Sequence, residues 1–228
     1  MTINKPSRYL QTMDEFLGHW ADVDAALAPG ALILNGTYGL AQLQADRDAL
    51  SDQITALVHK TNVLEGHRTD RDNQKPQRRE RMRQIRGFVK GVLSDSVFPG
   101  QLPPLIYDGS HSGKWIIAMD EFAHLWSQIE AAPPVGFVPP MLLTGGYSLV
   151  DFNADVLSLK NTFGDITVAE QDADREHDAR EALYTNVRSQ LVRYRRAVPG
   201  MFASTSPLVT SLPRLSPKRR RKVVDVAD

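Results

Sequence analysis

Paired carboxylates are the first residues of this chain whose type and spacing suggest chemistry. The octapeptide MDEFLGHW at 13–20 is echoed by MDEFAHLW at 119–126, so an Asp-Glu pair occurs twice. Glu121 and His124 have the Glu-x-x-His spacing with which di-iron helical bundles hold their metals. Such a centre needs a second motif of this kind, and the first copy has Gly18 where the second has His124. We therefore predict no metal and no cofactor.

The apolar members of the two octapeptides favour a different interpretation, the buried face of a helix. In each copy a methionine, a phenylalanine and a tryptophan follow one another at i, i+3 and i+7, as Met13, Phe16 and Trp20 do. Asp14 then falls near the start of that helix, where the helix dipole favours negative charge. The sequence contains no nucleophile elbow, phosphate-binding loop or dinucleotide glycine motif. We predict a non-enzymatic protein with no evident small-molecule substrate.

Charge is distributed unevenly, although the 27 basic and 27 acidic residues of the chain cancel. Residues 68–90 hold nine basic and three acidic side chains, whereas residues 165–181 hold seven acidic and two basic ones. The candidate interaction residues are Arg71, Arg78, Arg79, Arg81, Arg83 and Arg86 in this basic stretch and Asp172, Asp174, Glu176 and Asp178 in this acidic stretch. Complementary potentials select partner and register, so we predict a homo-oligomer formed through these stretches. The simpler alternative is that both are solvated helix faces.

A second basic feature lies near the C-terminus. The run Ser216-Pro-Lys-Arg-Arg-Arg-Lys222 contributes Lys218, Arg219, Arg220, Arg221 and Lys222 to the candidate interaction residues. Clusters of this kind contact nucleic acids through phosphate charge. The alternative function is therefore a nucleic-acid-associated protein that uses residues 68–90 and 218–222, and a solubilising tail is the simpler reading of the run.

The elements that must position these residues are set by a repeat. From Leu34 to Leu93, adding 109 to a residue number gives its counterpart, so that LILNGTY at 32–38 is answered by MLLTGGY at 141–147. We predict two copies of one unit, residues 1–105 and 106–215, followed by a basic tail at 216–228.

Apolar periodicity predicts three helices in each copy. A seam with alternating spacings of three and four runs from Leu40 to Leu64 and again from Leu149 to Ala173. Pro76 suggests a turn near residues 73–75, and the offset places a matching turn near 183–185. The predicted helices span about 7–28, 38–72 and 76–94 in the first copy and about 113–131, 147–181 and 184–203 in the second.

These elements predict an all-α fold. Each copy, with its short helix, long helix and return helix, buries one apolar stripe per helix, which favours a six-helix bundle about a pseudo-two-fold axis. The short apolar runs 32–34 and 141–143 are candidates for a minor two-stranded element between the copies. The sequence has no cysteine and no apolar run of transmembrane length, so we expect a cytoplasmic protein without membrane contact.

Overall fold

The computed structural model describes residues 6–215, and the fold is all-α as predicted. In chain order the elements are α1 (Pro6–Leu27), α2 (Leu40–Val92), a short 3₁₀ helix (Phe98–Gln101), α3 (Ser112–Ala131), α4 (Leu149–Met201) and the single turn α5 (Pro207–Thr210). None of the helices in this part of the chain is long and apolar enough to cross a membrane.

The two predicted return helices are wrong as separate elements, because the turns that should precede them do not form. Residues 73–75 lie inside α2 and residues 183–185 lie inside α4, and each of these helices is 53 residues long. The heptad phase explains the continuity. After Leu64 the spacing of three and four runs on without a break through Arg71 and Arg78 to Met82. A turn would reset that phase, and Pro76 falls outside the seam.

The described chain divides into two compact units, and they do not coincide with the two sequence copies. Within residues 6–215, the first unit comprises residues 6–59 and 174–215, and the second comprises residues 60–173. Each long helix therefore gives its first part to one unit and its remainder to the other. The predicted pseudo-two-fold arrangement concerns how the copies sit relative to each other and stays a prediction.

The first unit is built around aromatic side chains from both copies of the sequence. Met13, Phe16 and Trp20 of α1 are fully buried, as the octapeptide pattern predicted. They pack in one core with residues of α2 and with Tyr194 of α4, whose ring stacks on Trp20 at a centroid distance of 4.3 Å. An edge-to-face pair, Tyr9 with Tyr184, adds a further contact between α1 and α4.

The second unit has the same arrangement with the two long helices interchanged, because α3 packs with the first part of α4 and the last part of α2. Met119, Phe122 and Trp126 of α3 are fully buried. Their core is shared with the first part of α4, including Phe152, and with the last part of α2, including Met82. Ion pairs between α2 and α4 join Lys60 to Asp172, Arg68 to Glu170 and Arg78 to Asp155, so these two segments run antiparallel.

The predicted two-stranded element between copies is wrong for the described residues. Leu34 forms an isolated antiparallel bridge with Tyr38, and Leu143 forms one with Tyr147, so each bridge closes a tight loop within its own copy. Gly36 and Gly145 have positive φ angles, which allow the chain to turn this sharply. Residues with a Cβ rarely adopt such angles. Each loop leads directly into a long helix.

The expected interaction of Asp14 with the helix dipole is also wrong. The helix α1 begins at Pro6, so Asp14 lies in its third turn rather than its first. Asp14 instead pairs with Arg47 of α2 at 2.9 Å, and Asp120 of α3 pairs with Lys160 of α4 at 2.8 Å. The aspartate of each octapeptide thus attaches its short helix to the first part of a long one.

Candidate interaction surface

The basic stretch contains one arginine that is enclosed by the fold. Arg78 lies on the core seam of α2 and is only 8% exposed. Its Nη1 donates to Asp155 Oδ1 of α4 across 2.9 Å. The other oxygen of Asp155 accepts a hydrogen bond from the Tyr147 hydroxyl group. Burial, followed by this bond to a carboxylate, raises the pKa of Tyr147. The three side chains form a polar connection inside the second unit, and Arg78 is unsuited to meet another molecule.

Arg81 lies beside this connection and also contacts its own chain. Its guanidinium carbon is 4.1 Å from the ring centroid of Tyr147, a cation–π distance. Its Nη1 donates to the backbone oxygen of Thr144 at 3.4 Å and to Gln84 Oε1 at 3.0 Å. Arg81 therefore holds the loop that precedes α4 against α2.

The remaining arginines of the basic stretch differ in what they contact. Arg71 pairs with its neighbour Asp72 at 2.8 Å, and Arg79 reaches Asp108 at 3.3 Å. Arg86 donates to the backbone oxygen of Pro103. Arg83 pairs only with Glu80 one turn away and remains more than half exposed. Of the six predicted arginines, Arg83 is the one most open to solvent.

The acidic stretch is divided in the same way. Asp172 pairs with Lys60, and nearby Glu170 pairs with Arg68 at 3.0 Å, so part of the predicted complementarity is realised within one chain. Asp174 and Asp178 are exposed, and Glu176 is partly exposed. Asp178 lies 3.7 Å from the ring of His177. Of the four acidic residues predicted to interact, Asp174 and Asp178 are therefore the most open to solvent.

The predicted residues Lys218, Arg219, Arg220, Arg221 and Lys222 lie outside the described residues. The chain approaches them through the last described segment, where His19 of α1 holds α5. The His19 ring is buried, with Nδ1 2.6 Å from the Tyr194 hydroxyl oxygen and Nε2 2.8 Å from the Leu208 backbone oxygen. This contact fixes residues 207–210 to the first unit.

The carboxylate and histidine spacings do not come together as a metal site. Glu121 and His124 are both exposed on α3, and His124 lies 3.0 Å from Gln128 instead. Within residues 6–215, no group of three or more potential ligands is close enough to hold a metal ion.

The sequence analysis missed a row of exposed residues on the outer side of α4. We call it the outer row; its members are Val150, Ala154, Leu157, Asn161, Gly164 and Val168, all exposed. Its three large apolar side chains are 76%, 60% and 59% exposed in chain order. A Cβ added at Gly164 would meet nothing within 4 Å, so the surface there is open. The spacings of four and three were visible in the sequence, but the stronger core seam of the same helix concealed them.

Comparisons with known proteins assign no relative. No protein-family model matches the chain, and neither a curated protein nor a solved structure is similar to it. The fold places it among all-α proteins, and its function has to be argued from its own surfaces.

Proposed function

We propose that this chain is a structural or interaction protein, rather than an enzyme, and that it associates with copies of itself. The observation that carries the proposal is the exposure of large apolar side chains on otherwise well-packed helices. Val150, Leu157 and Val168 of α4 are each more than half exposed, although the chain encloses apolar cores in both units. Contiguous exposed apolar surface is typical of sites that bind other proteins.

The charged stretches are the second support for self-association. With Arg78 buried and Arg68, Lys60 and Arg81 engaged within the chain, the predicted interaction residues that are most exposed are Arg83, Asp174 and Asp178. Exposed pairs contribute only about 0–1 kcal/mol each, so these groups act as a set and mainly select register. The proposal includes a cytoplasmic setting, which the absence of cysteine favours.

The test is the solution mass from micromolar to millimolar chain concentration, measured at low and at high salt. We expect a concentration-dependent oligomer. If charged surfaces hold it, added salt and the variant Asp174→Lys with Asp178→Lys dissociate it, because screening shortens electrostatic range to about 3 Å at 1 M. If apolar surfaces hold it, added salt preserves it. A monomer under all of these conditions contradicts the proposal.

Nucleic-acid association is the second candidate, favoured by the basic run at 218–222. Phosphate binding releases counterions. The logarithm of the affinity for nucleic-acid duplexes of unrelated sequence should therefore fall steeply and linearly with the logarithm of the salt concentration. A chain ending at residue 215 should lose most of that affinity. Absence of binding at low salt would exclude this function.

A further inference from the structure

The outer row of α4 follows the pattern of a second helical seam. Counting along it gives spacings of four, three, four, three and four, so that Leu157 and Gly164 occupy d positions and Asn161 and Val168 occupy a positions of a heptad. The row stays on one side of α4 and lies entirely within the second unit. Unlike the core seam, the outer row faces solvent, because every member is exposed.

The same row of α2 has a different composition. At the matching positions of α2 the residues are Ala41, Ala45, Asp48, Asp52, Thr55 and His59, all exposed. A helix with the same length and the same core seam therefore does not require valine and leucine on its outer side. The apolar residues of the outer row call for an explanation other than the fold.

The charged residues beside the outer row indicate which partner the row binds. Lys160 and Asp165 flank the row on opposite sides, at a g position and the following e position, which meet between two parallel helices in register. Lys160 pairs with Asp120 of α3 within its own chain and is 40% exposed. In this arrangement the ammonium group of each Lys160 also faces Asp165 of the other copy, so that two such contacts cross the interface. An antiparallel arrangement would instead place Asp151 and Asp165 of one copy against the same acidic flank of the other, where like charges repel.

Asn161 points to the same arrangement. A single asparagine at an a position is tolerated between two parallel helices, where the side chain faces its own copy, and it fixes register and oligomeric state there. We propose that the outer row of α4 binds the outer row of a second copy of this chain, forming a parallel, in-register two-helix contact centred on Leu157 and Asn161. The proposal rests on the self-association proposed above and names its surface.

The first test compares two glutamate substitutions at exposed apolar residues. Leu157→Glu is expected to weaken association at least about tenfold, because each dimer loses two leucines and burying one is worth roughly that factor. Val58→Glu on α2, where Val58 is 56% exposed, is the matched control and is expected to leave the mass unchanged. At concentrations low enough for the wild type to be monomeric, both variants should keep its thermal melt, since neither side chain is in a core.

The second test determines orientation through cysteine substitution, which is clean because the chain has no cysteine of its own. In a parallel, in-register contact each residue of the row faces its own copy. Val150→Cys alone and Val168→Cys alone should therefore each give a disulfide-linked dimer under mild oxidation. A link that forms only when the two variants are mixed would overturn the parallel arrangement.

Charge exchange supplies a third measurement. Asp165→Lys should weaken the dimer. Adding Lys160→Glu, together with Asp120→Lys to keep the pair that residue 160 makes within its own chain, should restore the dimer, because opposite charges again meet across the contact. The outcomes separate the two proposals. A wild-type monomer at millimolar concentration overturns both. An oligomer that survives Leu157→Glu and forms no cysteine links overturns the outer-row contact and leaves self-association standing.

Discussion

At the scale of single residues, Arg78 and Arg83 of the same helix have opposite roles, because the first is buried in an ion pair and the second is more than half exposed. Residues 68–90 looked like one uniform basic surface, but the helical phase places Arg78 on the core seam and Arg83 outside it. A buried arginine needs a carboxylate, and the sequence does not say that Asp155 supplies it. Contacts of this kind depend on which segment of α4 packs against α2, which only the fold determines.

The Arg78–Asp155 pair predicts a strong and local effect of substitution. Arg78→Met leaves the Asp155 carboxylate partly buried beside Tyr147 without its cation, and we expect a loss of about 3 kcal/mol in the free energy of unfolding. Urea unfolding measures this. The control is Arg83→Met on the same helix, which should change stability by no more than about 0.5 kcal/mol because Arg83 is exposed. Equal effects of the two substitutions would show that Arg78 is not enclosed.

At the scale of elements, the sequence predicted the helices well and their ends poorly. The octapeptides correctly marked α1 and α3 and their buried faces. Weak apolar signal and Pro76 predict the turn at 73–75, and the offset of 109 carries that turn to 183–185. The spacing between Leu64 and Met82 nevertheless keeps its phase. Arg71, Lys75 and Arg78 occupy seam positions of α2. Their composition suggests an exposed helix face, but their spacing shows that they continue the buried seam.

Pro76 tests the continuity of α2. A proline inside a helix lacks an amide donor and crowds the preceding turn, at a cost of about 3 kcal/mol relative to alanine. If α2 is continuous, Pro76→Ala should stabilise the protein by about 1–3 kcal/mol, measured by thermal or urea unfolding. Pro133→Ala, in the loop after α3, is the control and should not stabilise it. A neutral or destabilising Pro76→Ala would indicate a turn that begins at the proline.

At the scale of the whole molecule, buried tyrosines link folding to alkaline pH. Burial is the first cause that raises the pKa of Tyr9, Tyr38, Tyr147, Tyr184 and Tyr194 above the ordinary 10.0. Because the folded pKa lies above the unfolded one, the associated stability is complete below about pH 10 and is lost as the pH rises toward the folded values. Tyrosinate absorbance should therefore show five of the six tyrosines ionising only with the loss of helical circular dichroism. Five tyrosines ionising while the helix signal persists would contradict their burial.

The sequence shows the repeat, but it does not show that each core combines helices from both copies. An offset of 109 relates α2 to α4 and the Leu34–Tyr38 bridge to the Leu143–Tyr147 bridge. Self-similarity identifies equivalent elements without saying which copy each one packs against. A hairpin closing on its own copy and a continuous helix crossing to the other unit carry nearly the same apolar pattern. The difference lies in the turn, which is the least certain feature of such a pattern.

That exchange makes the two copies interdependent. The core of the first unit takes Tyr184, Leu191 and Val198 from the second copy, and the core of the second unit takes Met82 and Val89 from the first. Fragments 1–105 and 106–215, produced separately, should each lack a folded monomeric state. Mixing them should restore helical circular dichroism and a cooperative melt at equimolar ratio, since each fragment supplies the residues that are missing from the core of the other. If fragment 1–105 alone were a monomer with a cooperative melt, each copy would close on itself, and the cores would not depend on residues from both copies.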